Sequence, residues 1–228
     1  MRTSTRIAAE KTRERILETA LELFRVRGFE VTTMRDIAKA AQVATGAAYY
    51  YFPSKEALVS AYYDRVQRLH AEKVQEELRG RERLRERLGV VLHSKLEILK
   101  EDRRFLGALF RYTGDPHHPL SVFGKGTEGQ RRHSLAIFEQ ALTGTNASAE
   151  LRVLLPWALW LGHLGMILFF IYDETEGQQR THKLVDGILD LLTQLVELTN
   201  SALVGPFVRP FQTKILGMLR GAGLTGGI

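Results

Sequence analysis

Apolar residues recur every three to four positions along most of the chain, the period of an α-helix with one buried face. Between residues 11 and 28, Ile16, Ala20, Leu23 and Phe24 form such a stripe, with Leu17 and Leu21 beside them. Gly28 supplies a residue that closes a helix. Thr32 and Thr33 offer an N-cap for a short second helix over 34–41, with Ile37 inward. A tight connection over 42–44 leads to a third short helix over 45–52, and Pro53-Ser54 breaks the chain. Leu58, Ala61, Tyr62, Val66 and Leu69 line a long helix over 54–79, which Gly80 ends. Leu84, Leu88, Leu92, Leu96 and Leu99 carry the next helix. A short one over 104–112 follows, and the loop 114–119 precedes a helix over 121–142. Two long apolar helices, 149–172 and 181–201, complete the body. In the second, Asp186, Asp190, Thr193 and Glu197 make a narrow polar stripe in a wide apolar arc. So wide an arc has two things to pack on, its own domain and something else, for which a partner subunit is the economical candidate. The Gly- and Pro-rich tail 205–228 has room for a short helix over 212–220, with a frayed end beyond it. No strand-type alternation stands out, so the expected class is all-α.

Composition narrows the function. The 228 residues are 44% hydrophobic and 25% charged, enough for a sizeable core. Cysteine is absent, which removes disulfides, iron–sulfur clusters, thiolate zinc sites and cysteine nucleophiles. The net charge of +6 lies wholly in the first 104 residues, which suggests an anionic partner for the N-terminal part. Part of that charge is the run Arg79–Arg87, read as a solvated helix start. Residues 153–172 carry no formal charge and are long enough to span a bilayer. Pro156, His163 and the small residues Ala158, Gly162 and Gly165 point instead to a buried or interface helix of a soluble protein. The basic, polar first fifteen residues lack the apolar core of a signal peptide, so a cytoplasmic protein without membrane contact is expected.

The second and third helices, joined by a tight turn, have helix-turn-helix geometry: one braces across the phosphate backbone and the next enters the major groove. Small residues, Ala38, Ala41 and Ala44, stand where the pair would cross, and Ile37 and Val43 fill the space between. Two runs then carry a family resemblance. Thr33-Met34-Arg35-Asp36-Ile37-Ala38, and Val43 through the Tyr49-Tyr50-Tyr51-Phe52-Pro53-Ser54-Lys55-Glu56 run to Leu58, resemble the DNA-binding domain of TetR-type transcriptional regulators. The resemblance covers about residues 10–65. It implies three N-terminal helices for DNA over 1–55, a helical ligand-binding and dimerisation domain over 56–204, and the tail 205–228. It also implies a homodimer through helices 149–172 and 181–201, bound to double-stranded DNA and released by a small effector.

The implied DNA contacts are Thr33 and Arg35 on the second helix, Ala44, Thr45, Gly46, Tyr49 and Tyr50 at the third, and Lys55 on a phosphate. The chain departs from the family pattern in having Thr45 where Lys or Arg is common and Tyr50 where His is common. Arginine or lysine readout of guanine is therefore scarce on the third helix, and apolar contacts and DNA shape gain weight. Arg2 and Arg6 are expected on a flexible arm. Tyr51 and Phe52 are expected in the core. Candidates for an apolar or aromatic effector are Phe105, Leu109, Tyr112, Phe138, Trp157, Trp160, His163 and Phe170, each of which also suits a plain core position. The adjacent His117 and His118 lack a carboxylate pair at ligand spacing, so neither a metal nor a cofactor is expected. The dinucleotide fingerprint, P-loop, zinc-protease and nucleophile-elbow motifs are absent, so the chain does not read as an enzyme. A membrane-associated helical protein is the other alternative.

Overall fold

The structure is a computed structural model that describes residues 2–115 and 117–221. Pro116 of the predicted loop and residues 222–228 of the tail lie outside the described residues. So do the side chains of residues 2–5, and with them the arm contact expected of Arg2. Among the described residues the chain is all-α: α1 Arg2–Arg27, α2 Met34–Ala40, α3 Thr45–Tyr51, α4 Lys55–Glu77, α5 Leu84–Leu99, α6 Arg103–Thr113, α7 Glu128–Leu142, α8 Ala149–Tyr172, α9 Gln179–Asn200 and α10 Gly205–Gly221. They form two compact units, Met1–Arg68 with Leu99–Arg131, and Leu69–Ile98 with Arg132–Ile228. The units interleave along the chain, which the hydrophobic pattern does not reveal. Helix α6 joins the first three helices, and α4 begins in the first unit and ends in the second.

In the first unit Ile16, Leu17, Ala20, Leu21 and Phe24 bury the face of α1 that the sequence marks. The helix starts at Arg2 and not at residue 11, because residues 2–10 contain no Pro or Gly to stop it. The flexible arm expected for Arg6 is thus helical, and Arg6 pairs with Glu10 at 3.3 Å. Gly28 closes α1 with φ +99°, a conformation that disfavours any side chain. Its N–H donates to the Phe24 carbonyl at 3.1 Å. The tie between helices is a buried carboxylate. Asp102, just before α6, accepts from Arg25 Nε of α1 at 2.6 Å and from the Tyr62 hydroxyl of α4 at 2.7 Å. Burial and then the Asp102 charge push the Tyr62 phenol far above its usual range, so it stays a donor. Phe105 of α6 stacks on Phe24 at 5.4 Å and meets Tyr62 edge-on at 5.4 Å.

The second unit packs α5, α7, α8, α9 and α10. Helix α9 divides its apolar arc, with Val185, Leu189 and Val196 inward and Leu184, Ile188, Leu191, Leu195 and Leu198 outward. The arginine run is not solvated throughout. Arg85 donates to Asp190 at 2.5 Å and Asp186 at 3.2 Å, and Arg87 reaches the Gln140 and Ala141 carbonyls, each at 2.8 Å. These arginines tie α5 to α9 and to the end of α7. The helix predicted over 121–142 begins only at Glu128. Before it, Thr127 Oγ1 donates to the Ser121 and Gly124 carbonyls and holds the chain in turns. The tail is more ordered than the short helix over 212–220 foretold. Helix α10 packs on α8 and α9, and Pro206 sits in its first turn, where a missing N–H costs nothing. Gly205 is required there: a Cβ would lie 2.8 Å from the Thr199 carbonyl oxygen.

Removing the Asp102 carboxylate leaves the buried Tyr62 hydroxyl and the part-exposed Arg25 guanidinium without their acceptor. Asp102→Ala should cost about 2–3 kcal/mol, below the 3–5 typical of a fully buried pair, because Arg25 is a third exposed. Tyr62→Phe should cost about 1 kcal/mol. Urea unfolding of the DNA-free protein checks both, and equal losses would deny the carboxylate its central place.

Candidate nucleic-acid interface and effector site

Helices α2 and α3 are each only seven residues long, too short to persist without caps and packing. Thr33 and Asp36 form a reciprocal capping box on α2. The Asp36 N–H donates to Thr33 Oγ1 at 3.1 Å, and the Thr33 N–H donates to Asp36 Oδ2 at 3.0 Å. The Thr33 hydroxyl, expected at a phosphate, donates to the same carboxylate at 2.6 Å. These bonds hold the Asp36 carboxyl below its usual range. The turn uses Gln42 at φ +54°, and the Val43 N–H donates back to the Ala38 carbonyl at 3.0 Å. Ile37, Ala38 and Ala41 are buried as the sequence predicts, whereas Ala44 is exposed and Val43 half-buried.

Helix α3 buries Ala48 and leaves Ala44, Thr45, Gly46, Tyr49 and Tyr50 exposed. Tyr50 is 83% exposed and Tyr49 50%. Arg35 and Lys39 are exposed on α2. Phe52 is buried, with the Arg13 guanidinium 4.8 Å from its ring centre, while Tyr51 is half-buried and meets Tyr50 edge-on at 5.3 Å. Arg13 has no helix-turn-helix signature, and its contact with Phe52 is unreadable without the fold. Lys55 is placed differently from the rest. Its ammonium donates to the Phe29 carbonyl at 2.7 Å and the Glu30 carbonyl at 3.2 Å, and lies 4.5 Å from the Phe29 ring centre. It clamps the turn after α1 onto the start of α4.

The eight effector candidates fall into two groups. Phe105, Leu109 and Tyr112 belong to the first unit, where Phe105 and Leu109 are core. Tyr112 donates its hydroxyl to Glu30 and stacks on His118 at 4.5 Å. Phe138, Trp157, Trp160, His163 and Phe170 belong to the second. His163 meets Phe138 edge-on at 6.0 Å, and Trp157 meets Trp160 at 6.0 Å. His163 is buried with both ring nitrogens lacking a hydrogen-bond partner. Two further residues were missed by the sequence reading. His70 on α4 and Lys95 on α5 are each 3% exposed. The signal was there: His70 continues the apolar spacing Val66–His70–Val74, and Lys95 follows Leu88 and Val91 by seven and four residues. Burial, then Lys95, pulls His70 well below the usual histidine range. Burial, then Lys95, pulls His163 down to about 3. Burial brings the Lys95 amine down to about 7. Among the described residues no group of three or more His, Cys, Asp or Glu could hold a metal ion.

Comparison with known proteins gives the arrangement its context. Residues 16–62 match the family described as bacterial regulatory proteins, tetR family, and residues 87–209 match the tetracyclin repressor-like C-terminal domain. The LuxR transcriptional regulator of Vibrio harveyi is 29% identical over 124 residues, 53% of this chain and 60% of that protein. The AcrR regulator of Shigella flexneri is 41% identical over 64 residues, 28% of this chain and 30% of that protein. An uncharacterized regulator of Bacillus subtilis, YuxN, is 48% identical over 54 residues, 22% and 19% of the two chains. The chain thus aligns with between a fifth and three-fifths of the length of these relatives. Among solved structures, a TetR-family regulator from Syntrophomonas wolfei superposes with a TM-score of 0.64 at 16% identity, covering 81% of this chain and 95% of its own. One from Streptomyces coelicolor gives 0.63 at 21%, covering 86% and 96%. All of these relatives are named as transcriptional regulators. A match that spans both the capped helix-turn-helix and more than half of the chain beyond it settles the family: the chain belongs to the TetR family of helix-turn-helix transcriptional regulators.

Proposed function

We propose that the protein is a cytoplasmic repressor that holds a palindromic operator as a homodimer and lets it go when the second unit takes up a small effector. The observation that carries the DNA reading is the outer face of α3. A tyrosine 83% exposed on a helix of seven residues, edge-on to the neighbouring Tyr51 ring, leaves most of its surface for something outside its own fold. Beside it stand Thr45, Gly46 and Tyr49, and the N-cap residue of α3, Ala44, has no side-chain acceptor to cap it. The helix start is thus left to solvent or to a phosphate. A phenol ring suits a thymine methyl, and its hydroxyl suits a phosphate or a base edge. Arg35 on α2 adds a charge toward the backbone. With no Arg or Lys on α3, sequence selection leans on these contacts and on DNA shape.

The dimer reading rests on exposed apolar stripes. On α9 they are Leu184, Ile188, Leu191, Leu195 and Leu198. On α8 they are Leu161, Phe169 and Tyr172, with Gly162 and Gly165 between and Ala158 just before. Helix α10 adds Phe207, Phe211, Ile215 and Met218. Helix α8 is long and apolar enough to cross a membrane, the one such helix among the described residues. Its small residues and its apolar neighbours on α9 favour a partner helix over lipid. A patch this large on a regulator marks an interface, and a two-fold dimer suits an operator whose half-sites lie about 34–36 Å apart or a multiple of that.

Duplexes that the protein selects from a random pool supply the operator for two tests. Tyr50→Ala should weaken operator binding at least tenfold and leave the urea midpoint unchanged. Lys55→Met should instead lower stability of the DNA-free protein by about 1–2 kcal/mol, since it removes a charged donor from two carbonyls. Loss of DNA affinity at unchanged stability would make Lys55 a phosphate ligand. For the interface, Leu191→Glu with Leu195→Glu should give helical monomers by sedimentation with much weakened operator binding. A persisting dimer would move the interface elsewhere.

A further inference from the structure

Within the second unit α5 and α9 meet along a polar seam. Arg85 and His93 come from α5, and Asp190, Asp186 and His182 from α9. Arg85 takes both carboxylates, and beyond it His93 Nε2 lies 3.2 Å from Asp186 Oδ1. His93 Nδ1 faces Nδ1 of His182 across 3.0 Å. The ring centres are 5.2 Å apart and the ring planes differ by 16°. That separation is close to the nitrogen gap plus the two ring radii. The imidazoles therefore lie edge to edge, nearly in one plane, with the two nitrogens pointing at each other. A zinc-like ion between nitrogens in line would need them about 4 Å apart. The gap fits a proton.

The donors fix where the hydrogens are. Burial opposes the charge on Asp186, but the bonds from His93 and Arg85 outweigh it and hold the carboxyl below its usual range. An ionised carboxylate only accepts, so His93 Nε2 carries a hydrogen. A neutral His93 then has a bare Nδ1, which accepts from Nδ1–H of His182. The remaining bare nitrogen is His182 Nε2. A first proton added there keeps every bond of the seam and makes the donor to His93 cationic. A second has only His93 Nδ1 to go to. It would set two N–H groups head to head and two cations side by side. The surrounding charge agrees with a capacity of one. Arg85 against Asp186 and Asp190 leaves the seam one negative charge, which a single proton cancels. Asp173, at the end of α8, also favours a charged His182. Glu97, one turn beyond His93 on α5, is engaged by Lys73 of α4 at 2.5 Å.

We propose that the His93–His182 pair is an acid-sensitive catch between α5 and α9, which holds with no added proton or with one and is released by two, loosening α9 and with it the operator-bound dimer. The regulatory part rests on the proposed function, in which α9 offers a partner the leucine edge opposite this seam. An open pair takes up two protons near the ordinary histidine value of about 6.5. The closed pair takes up fewer. Burial and then His93 hold His182 below the usual histidine range, which is the same direction. The closed form is therefore fully favoured above that value. It loses ground as pH falls through it, by about tenfold per pH unit for each proton refused.

Three readouts on the full-length protein test this. Nitrogen-15 spectra of the imidazoles at pH 8 should show the hydrogen of His93 on Nε2 and that of His182 on Nδ1. The two rings should titrate together, in two steps more than about one pH unit apart. This readout needs no variant. A double-mutant cycle in urea, with His93→Leu, His182→Leu and both, separates the pair from the other histidines. Both side chains are half-buried, so the variants should fold. The coupling should favour folding about threefold or more at pH 7.5 and vanish or reverse at pH 5. Operator binding should fall between pH 7.5 and pH 5 by about threefold more in the parent than in the double variant. The comparison cancels what pH does to DNA binding in general. Imidazoles that titrate independently, a hydrogen on His93 Nδ1 at pH 8, or a coupling of the same sign and size at both pH values would overturn the catch. A shared proton with the same pH dependence of operator binding in parent and double variant would overturn its regulatory role. All of these leave the proposed function standing. A protein that selects no duplex fails the proposed function and takes this role with it, and the spectra and the cycle tell the two failures apart.

Discussion

A single carboxylate organises the DNA-binding unit. Asp102 takes a guanidinium from α1 and a phenol from α4, and it stands at the entrance to α6, whose Phe105 closes over the same two helices. Such a group has no halfway state. Two donors and an acceptor taken out of water are tolerable together and expensive apart. Its bonds therefore fix the angle between α1 and α4 more sharply than apolar packing alone, which tolerates sliding. The two seven-residue helices inherit that frame. Helix α2 rests on α1, α3 rests on α2, and Lys55 at the head of α4 clamps the turn that leads into α2.

Once the frame is fixed, the outward faces acquire meaning. An exposed leucine is ordinary; three helices that each expose a regular apolar stripe are not. On α9 the polar residues Asp186 and Asp190 are held by Arg85, which keeps one edge of the helix tied to its own unit and commits the leucine edge to the outside. The tyrosines of α3 are another matter. They are amphipathic, and they stand on an uncapped helix seated against the capped α2, with few side-chain torsions to lose.

What the sequence reveals follows from which forces are local. Helix periods, the closing glycine at 28, the capping Thr33, the break at Pro53 and the outward Tyr50 are set within a few residues, and all are legible. Partnerships across long stretches are not. Nothing near Arg25 announces Asp102, 77 residues away. Arg85 and Arg87 read as solvated charges because their partners lie on α9 and at the end of α7. The Lys55 clamp is hidden because its two carbonyls lie 26 and 25 residues back. The start of α1 and the length of α10 were underestimated for another reason: a pattern search looks for apolar stripes, while residues 2–10 are helical by propensity and α10 keeps its apolar stripe outside. His70 and Lys95 were legible in principle, as polar residues at apolar positions. Periodicity tolerates such exceptions and passes over them.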